Sequence, residues 1–173
     1  MLLEFTTKNY KSFVEKTMFS MKKAAKQSGL DYSLLKEEVK GKPVIGLCSS
    51  VIYGPNAAGK TNIIGAMDVF RSIVLRALEL IPNNKLTSSM PVEFSVEFFV
   101  DKMLVKYSVS LDLGLFLEDN YQRKVIDEEL FVNGDVVFRR GEKLVLGSLK
   151  VIKRYLPEST VQNYESVFNI AQN

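Results

Sequence analysis

An α/β chain of the α+β kind, with one long helix on a mixed sheet and an antiparallel β subdomain, is the fold class that this 173-residue sequence predicts. Three observations carry the prediction. An apolar run, Val44-Ile45-Gly46-Leu47-Cys48 to Val51-Ile52-Tyr53, leads into the octapeptide Gly54-Pro55-Asn56-Ala57-Ala58-Gly59-Lys60-Thr61. Apolar residues then recur at three- and four-residue steps, the period of an amphipathic helix. Beyond residue 91 the period drops to two, as in half-buried strands. Composition agrees, since 46% hydrophobic and 25% charged residues with only five Pro describe a globular chain of about one domain with a real core.

Taken in order, residues 2–13 (Leu-Leu-Glu-Phe-Thr-Thr-Lys-Asn-Tyr-Lys-Ser-Phe) read as a first strand and turn, with residues 17–21 returning as its hairpin partner. Residues 22–42 are polar and rich in Lys and Glu; Ser33, Leu34, Leu35 and Val39 offer at most a short helix, and the segment is expected to be a mobile insertion. Residues 44–53 are expected to be a buried strand, which makes Cys48 a buried structural thiol. The helix rests on Ile63, Ile64, Met67, Phe70, Ile73, Val74, Ala77 and Leu78, and Ile81-Pro82-Asn83-Asn84 ends it. Asn62, Asp68, Arg71 and Arg76 fall mostly off that stripe and read as a solvated face. Residues 91–100 and 103–111 alternate around Asp101-Lys102 as a hairpin. Residues 129–132 and 136–138 flank Asn133-Gly134, the dipeptide suited to a tight hairpin turn. Residues 91–140 therefore form the antiparallel β subdomain, and from Gly147 the pattern turns helical.

The octapeptide has the form G-x-x-x-x-G-K-[ST], a P-loop placed between a strand and a helix. A phosphate chain needs many donors close together, and glycines at 54 and 59 let backbone N–H groups converge where a Cβ would obstruct them. The helix opening at about Lys60 adds its unpaired N–H groups and positive end. Lys60 is assigned to the β- and γ-phosphates and Thr61 to Mg²⁺. The nucleotide-binding set is Gly54, Pro55, Asn56, Ala57, Ala58, Gly59, Lys60, Thr61 and Asn62. An ordinary glycine-containing turn would need neither the Lys nor the Thr.

Other classes are excluded or left open by composition. The sequence has no His, which removes His nucleophile activation, His metal ligands and His general bases, none of which phosphate chemistry requires. A single Cys permits no disulfide within the chain and points to a reduced compartment. A net charge of +3, spread along the chain, permits a nucleic-acid partner without arguing for one. Neither a signal peptide nor a membrane-length apolar stretch is visible, so the expected location is the cytoplasm. A P-loop hydrolase also needs an acid at the end of an apolar strand to hold Mg²⁺ and orient water. Asp101 reads as a hairpin-turn residue, and Asp112, Asp127 and Glu128 each follow too short an apolar run for a central strand; the catalytic residues are unknown.

With Lys8-Asn9-Tyr10-Lys11-Ser12-Phe13 on a first strand, Ile52 through Asn62 next, and Glu93-Phe94-Ser95-Val96-Glu97-Phe98 and Glu128-Glu129-Leu130 in the sheet, the chain resembles the N-terminal lobe of AAA/ABC-type ATPases of the RecF-like, SMC-like and OLD-like kind. It is most similar to the AAA-family ATP-binding proteins linked to abortive infection and phage defence. The resemblance implies ATP with Mg²⁺ as cofactors and places Lys11 and Ser12 beside the phosphates or ribose. It implies that two heads close on two nucleotides as a homodimer, driving an effector or a nucleic-acid partner. Family members also carry a nucleotide-sensing Gln, for which Gln122 is the candidate, a signature Ser-Gly-Gly segment and a switch His; the last two are missing from this sequence. The expectation is therefore that residues 1–173 are the N-terminal lobe of a longer ATPase, binding nucleotide without turning it over alone. Two readings stand beside it: a small P-loop phosphotransferase, for which Arg139-Arg140 makes a poor lid, and a nucleotide-independent interaction module.

Overall fold

Side chains that alternate along residues 91–112 drive one face of each strand inward, and the backbone pairs accordingly. The computed structural model describes residues 1–24, 29, 31–75, 90–113 and 123–147. Its elements are β1 (Leu2–Lys8), β2 (Thr17–Ser20), a 3-10 turn (Asp31–Ser33), β3 (Leu34–Val39), β4 (Lys42–Leu47), α1 (Lys60–Leu75), β5 (Val92–Val100), β6 (Met103–Asp112), β7 (Lys124–Val132), β8 (Asp135–Arg140) and β9 (Leu144–Leu146). Seven strands form one sheet in the order β2-β1-β5-β6-β7-β8-β9, and β3 and β4 form a separate pair. The class is α+β.

Every pairing among the described residues is antiparallel, so the expected mixed sheet is corrected. Parallel neighbours need a long crossover, whereas most of these strands are joined by tight turns. Asp101 and Lys102 have φ of 47° and 63°, and Asn133 and Gly134 have 53° and 85°. Two consecutive left-handed residues are what the right-handed strand twist demands of a two-residue hairpin. Lys40 and Gly41, at 48° and 76°, turn β3 into β4 in the same way.

That third hairpin replaces the short helix expected around residue 34. Val39 is buried with Leu3 and Phe99. Lys40 Nζ reaches Asp135 at 2.8 Å, and Lys22 bridges Glu4 and Glu97 across β1 and β5. Burial lowers the Lys22 pKa, but hydrogen bonds to Glu97 and Glu4 reverse this and hold it above the usual lysine value. Residues 25–28 and 30 of the expected insertion lie outside the described residues.

The buried strand expected over residues 44–53 is also corrected. Only β4 is extended and paired, with β3 along its length and with Lys22 through a single antiparallel bridge at Gly46, and residues 49–53 enter no strand. Val51 is 81% and Tyr53 89% exposed. Cys48 is exposed too, with its N–H donating to the Ser33 carbonyl at 2.9 Å. A continuous apolar run becomes a buried strand only when neighbours flank it on both edges. In this sheet β1 already lies between β2 and β5.

Helix α1 covers one face of the large sheet. Ile63, Ala66, Val69, Phe70 and Ile73 are its buried residues, while Ile64, expected in the stripe, is 60% exposed. The inward face is thus turned toward Ala66 and Val69. Phe70 sits 5.8 Å from Phe5, 6.0 Å from Phe94 and 5.7 Å from Tyr107, centroid to centroid, in an aromatic cluster under the helix. Such pairs contribute about 0.5–1.5 kcal/mol each beyond their burial. The expected end of that helix near Leu78 and the helix expected beyond Gly147 fall on residues 76–89 and 148–173, outside the described residues.

Candidate functional site

Residues 54–59 form the turn between the exposed segment and α1, and three residues of positive φ shape it: Gly54 at 154°, Ala57 at 63° and Gly59 at 84°. An L-residue in the left-handed region of the last two costs about 1–2 kcal/mol, so the final position suits glycine. It suits glycine for a second reason. A Cβ at Gly59 would lie 3.0 Å from Phe13 Cε1 and 3.2 Å from Phe13 Cζ. The Gly59 carbonyl accepts from the N–H groups of Asn62 (2.9 Å) and Ile63 (3.2 Å), which closes the first turn of α1.

Lys60 folds back over the loop. Its Nζ donates to the carbonyls of Gly54 (2.8 Å) and Pro55 (2.6 Å). The first turn of α1 carries no acidic residue, so the positive end of the helix and the ammonium add without local neutralisation. Thr61 follows, exposed, with its hydroxyl one residue from the ammonium. Residues 54–58 are exposed as well, while Gly59, Lys60 and Asn62 are less open to solvent or border the helix start. An ammonium, a helix start and a hydroxyl on an acid-free loop make a donor set that fits a phosphate chain and its Mg²⁺.

Of the two residues placed here by resemblance, Ser12 lies at the site and Lys11 is turned to the Tyr10 ring. Ser12 Oγ accepts from Asn62 Nδ2 at 2.7 Å. The Lys11 ammonium lies 5.6 Å from the centroid of the Tyr10 ring. Sequence reasoning missed Phe13 as a neighbour of the loop and Tyr10 as a neighbour of α1, where its hydroxyl lies 3.5 Å from a Cβ placed on Gly65. Their signal was a three-residue spacing in a short turn, too weak to separate from the edge of a strand.

The acidic candidates distribute through the sheet. Asp101 is the first residue of the β5–β6 turn. Asp112 ends β6 opposite Lys124, and Asp127 lies on β7 opposite Ser110. Contrary to the short-run expectation, β7 is an interior strand, and Glu128 on it is fully buried. Glu128 Oε1 accepts from the Tyr107 hydroxyl at 2.8 Å, and its Oε2 is 3.4 Å from Arg140 Nη1. Arg139 pairs with Glu129 at 3.1 Å and lies over the Phe131 ring. Gln122 lies outside the described residues. Among the described residues no helix is long and apolar enough to cross a membrane.

Against known proteins, the chain falls in the AAA class of nucleotide-binding, ATPase-like domains, for a family model matches residues 49–143, more than half of its length. That family is described as "AAA domain, putative AbiEii toxin, Type IV TA system", and the chain belongs to it. Neither a curated protein nor a solved structure matches the chain.

Proposed function

We propose that this chain binds ATP with Mg²⁺ through residues 54–62, as the nucleotide-binding lobe of an ABC/SMC-like AAA ATPase of the abortive-infection kind. The observation that carries the reading is the Lys60 ammonium, held over a glycine loop at the acid-free start of α1 in a chain of the AAA family. In this reading Lys60 exchanges the Gly54 and Pro55 carbonyls for β- and γ-phosphate oxygens. The N–H groups of the loop and of the helix start hold the remaining oxygens, and Thr61 takes a place among the ligands of Mg²⁺, which neutralises phosphate charge.

Residues 1–173 then act as an N-terminal lobe, with residues 91–140 as its β subdomain and residues 22–42 as an insertion. Turnover depends on groups supplied from beyond this chain. Glu128 is a structural acid in this scheme, since Tyr107 and Arg140 occupy its carboxylate. A cytoplasmic homodimer of heads, working on an effector or on nucleic acid in phage defence or DNA repair, extends the reading along the family resemblance. A phosphotransferase finds less support, because Arg139 and Arg140 are both engaged within the sheet.

Titration calorimetry with Mg-ATP tests the proposal. Binding of roughly micromolar strength is expected, and Lys60→Ala should weaken it by about 100-fold or more, about 2.7 kcal/mol. Wild-type affinity in Lys60→Ala would overturn it.

A further inference from the structure

Residues 9–13 open the connection from β1 to β2 and are held from several sides. Asn9 Nδ2 donates to the Pro91 carbonyl at 2.9 Å, which ties the turn to the start of β5. Tyr10 is buried, with its ring 5.7 Å from that of Phe94. Tyr10 and Phe13 exchange both backbone hydrogen bonds, at 3.1 and 2.9 Å. Ser12 accepts from Asn62 on α1, and the Phe13 ring rests where a Gly59 side chain would be. Asn9 and Lys11 are left-handed, at φ 55° and 49°. Such residues persist only where their surroundings impose the conformation. One strained turn is thus fastened to the sheet on one side and to the glycine loop on the other.

The loop itself is exposed over residues 54–58 and has little packing of its own. Lys60 draws its first carbonyls together from within, and its closing residue, Gly59, is contacted from outside by Phe13. We propose that the turn at residues 9–13 positions the phosphate-binding loop. The Phe13 ring holds Gly59 in its left-handed state, and the Ser12–Asn62 hydrogen bond fixes the first turn of α1. Nucleotide affinity then depends on Phe13 and Asn62 through the shape they impose, because a loop already in its bound form has less ordering entropy to lose. Ser12 works through Asn62, whereas the family resemblance would have it approach the phosphates or ribose. The inference rests on the nucleotide-binding reading above.

The test uses the full chain carrying Phe13→Ala, Phe13→Leu, Ser12→Ala, Asn62→Ala and the Ser12→Ala/Asn62→Ala double variant, with Lys60→Ala as control. Two quantities are measured: the Mg-ATP dissociation constant, and the exchange of the Asn62 and Ile63 amides without nucleotide. Phe13→Ala is expected to weaken binding about tenfold and to speed that exchange by a similar factor, with Phe13→Leu restoring most of both. Ser12→Ala and Asn62→Ala should each weaken binding a few-fold, and the double variant no further, as expected of two ends of one contact. Wild-type exchange in both Phe13 variants overturns the proposal. So does additivity of Ser12 and Asn62, which would make Ser12 a direct nucleotide ligand. If the wild type fails to bind, or Lys60→Ala binds as well as it does, the nucleotide reading falls and the exchange rates alone decide the positioning role. Should Phe13→Ala fail to fold, Phe13→Leu and the Ser12 and Asn62 variants are measured in its place, with the same outcomes supporting or overturning the role.

Discussion

Tyr10 shows how much one polar atom decides. Its side chain is buried, and among the described residues its hydroxyl has no hydrogen-bond partner. Burial, and then the charge of Asp68, push its pKa up to about 12. An unfolded tyrosine titrates near 10, so between these values the folded protein keeps a proton that the unfolded chain releases. The Tyr10 share of stability is therefore whole below about pH 10 and disappears as the pH rises toward 12, a loss of about 2–3 kcal/mol. Tyr10→Phe should gain about 1 kcal/mol at pH 7, since it removes an unsatisfied buried group, and should lose the alkaline step. Urea melts of both proteins at pH 7 and pH 11 check both points. At this scale the octapeptide was legible because backbone chemistry within eight residues specifies it. The contact between Phe13 and Gly59 was not, because it joins segments far apart in the chain and leaves no periodic trace.

Among the elements, those written by local turn chemistry were the legible ones. The β5–β6 and β7–β8 hairpins follow from Asp101-Lys102 and Asn133-Gly134, whose left-handed pairs fix the register. The Asn133 side chain adds to this by accepting from the Leu104 N–H at 2.8 Å. What failed were elements whose fate depends on neighbours. Residues 44–53 carry the pattern of a buried strand but find a partner only for β4. Strand β9 has three residues and no pattern of its own, and it exists because β8 offers an edge. Gly147 marks that dependence: its N–H donates to the Val137 carbonyl at 2.8 Å, and a Cβ there would fall 2.1 Å from the Val136 carbonyl oxygen. Gly147→Ala should accordingly detach β9, costing about 1–3 kcal/mol and speeding amide exchange at Val145 and Leu146 while β5 and β6 keep their protection.

At the scale of the molecule, the larger core among the described residues gathers side chains from β1, α1 and the strands β5 through β9, with Phe94 near its centre. Removing that ring leaves a void beneath the helix, beside Phe5, Tyr10 and Phe70. Phe94→Ala should cost about 3–5 kcal/mol and shift one cooperative denaturation transition, read by urea unfolding. In contrast to that core stands the exposed tract at Val51, Ile52 and Tyr53. Its backbone enters no ladder, and three adjacent apolar side chains beside open N–H and C=O groups are a template on which an extended strand from another molecule can pair. Pro55, two residues on, has no N–H to donate and stops such a pairing from spreading into the glycine loop. The stretch most open to pairing with another copy thus ends where the glycine loop proposed to bind phosphate begins.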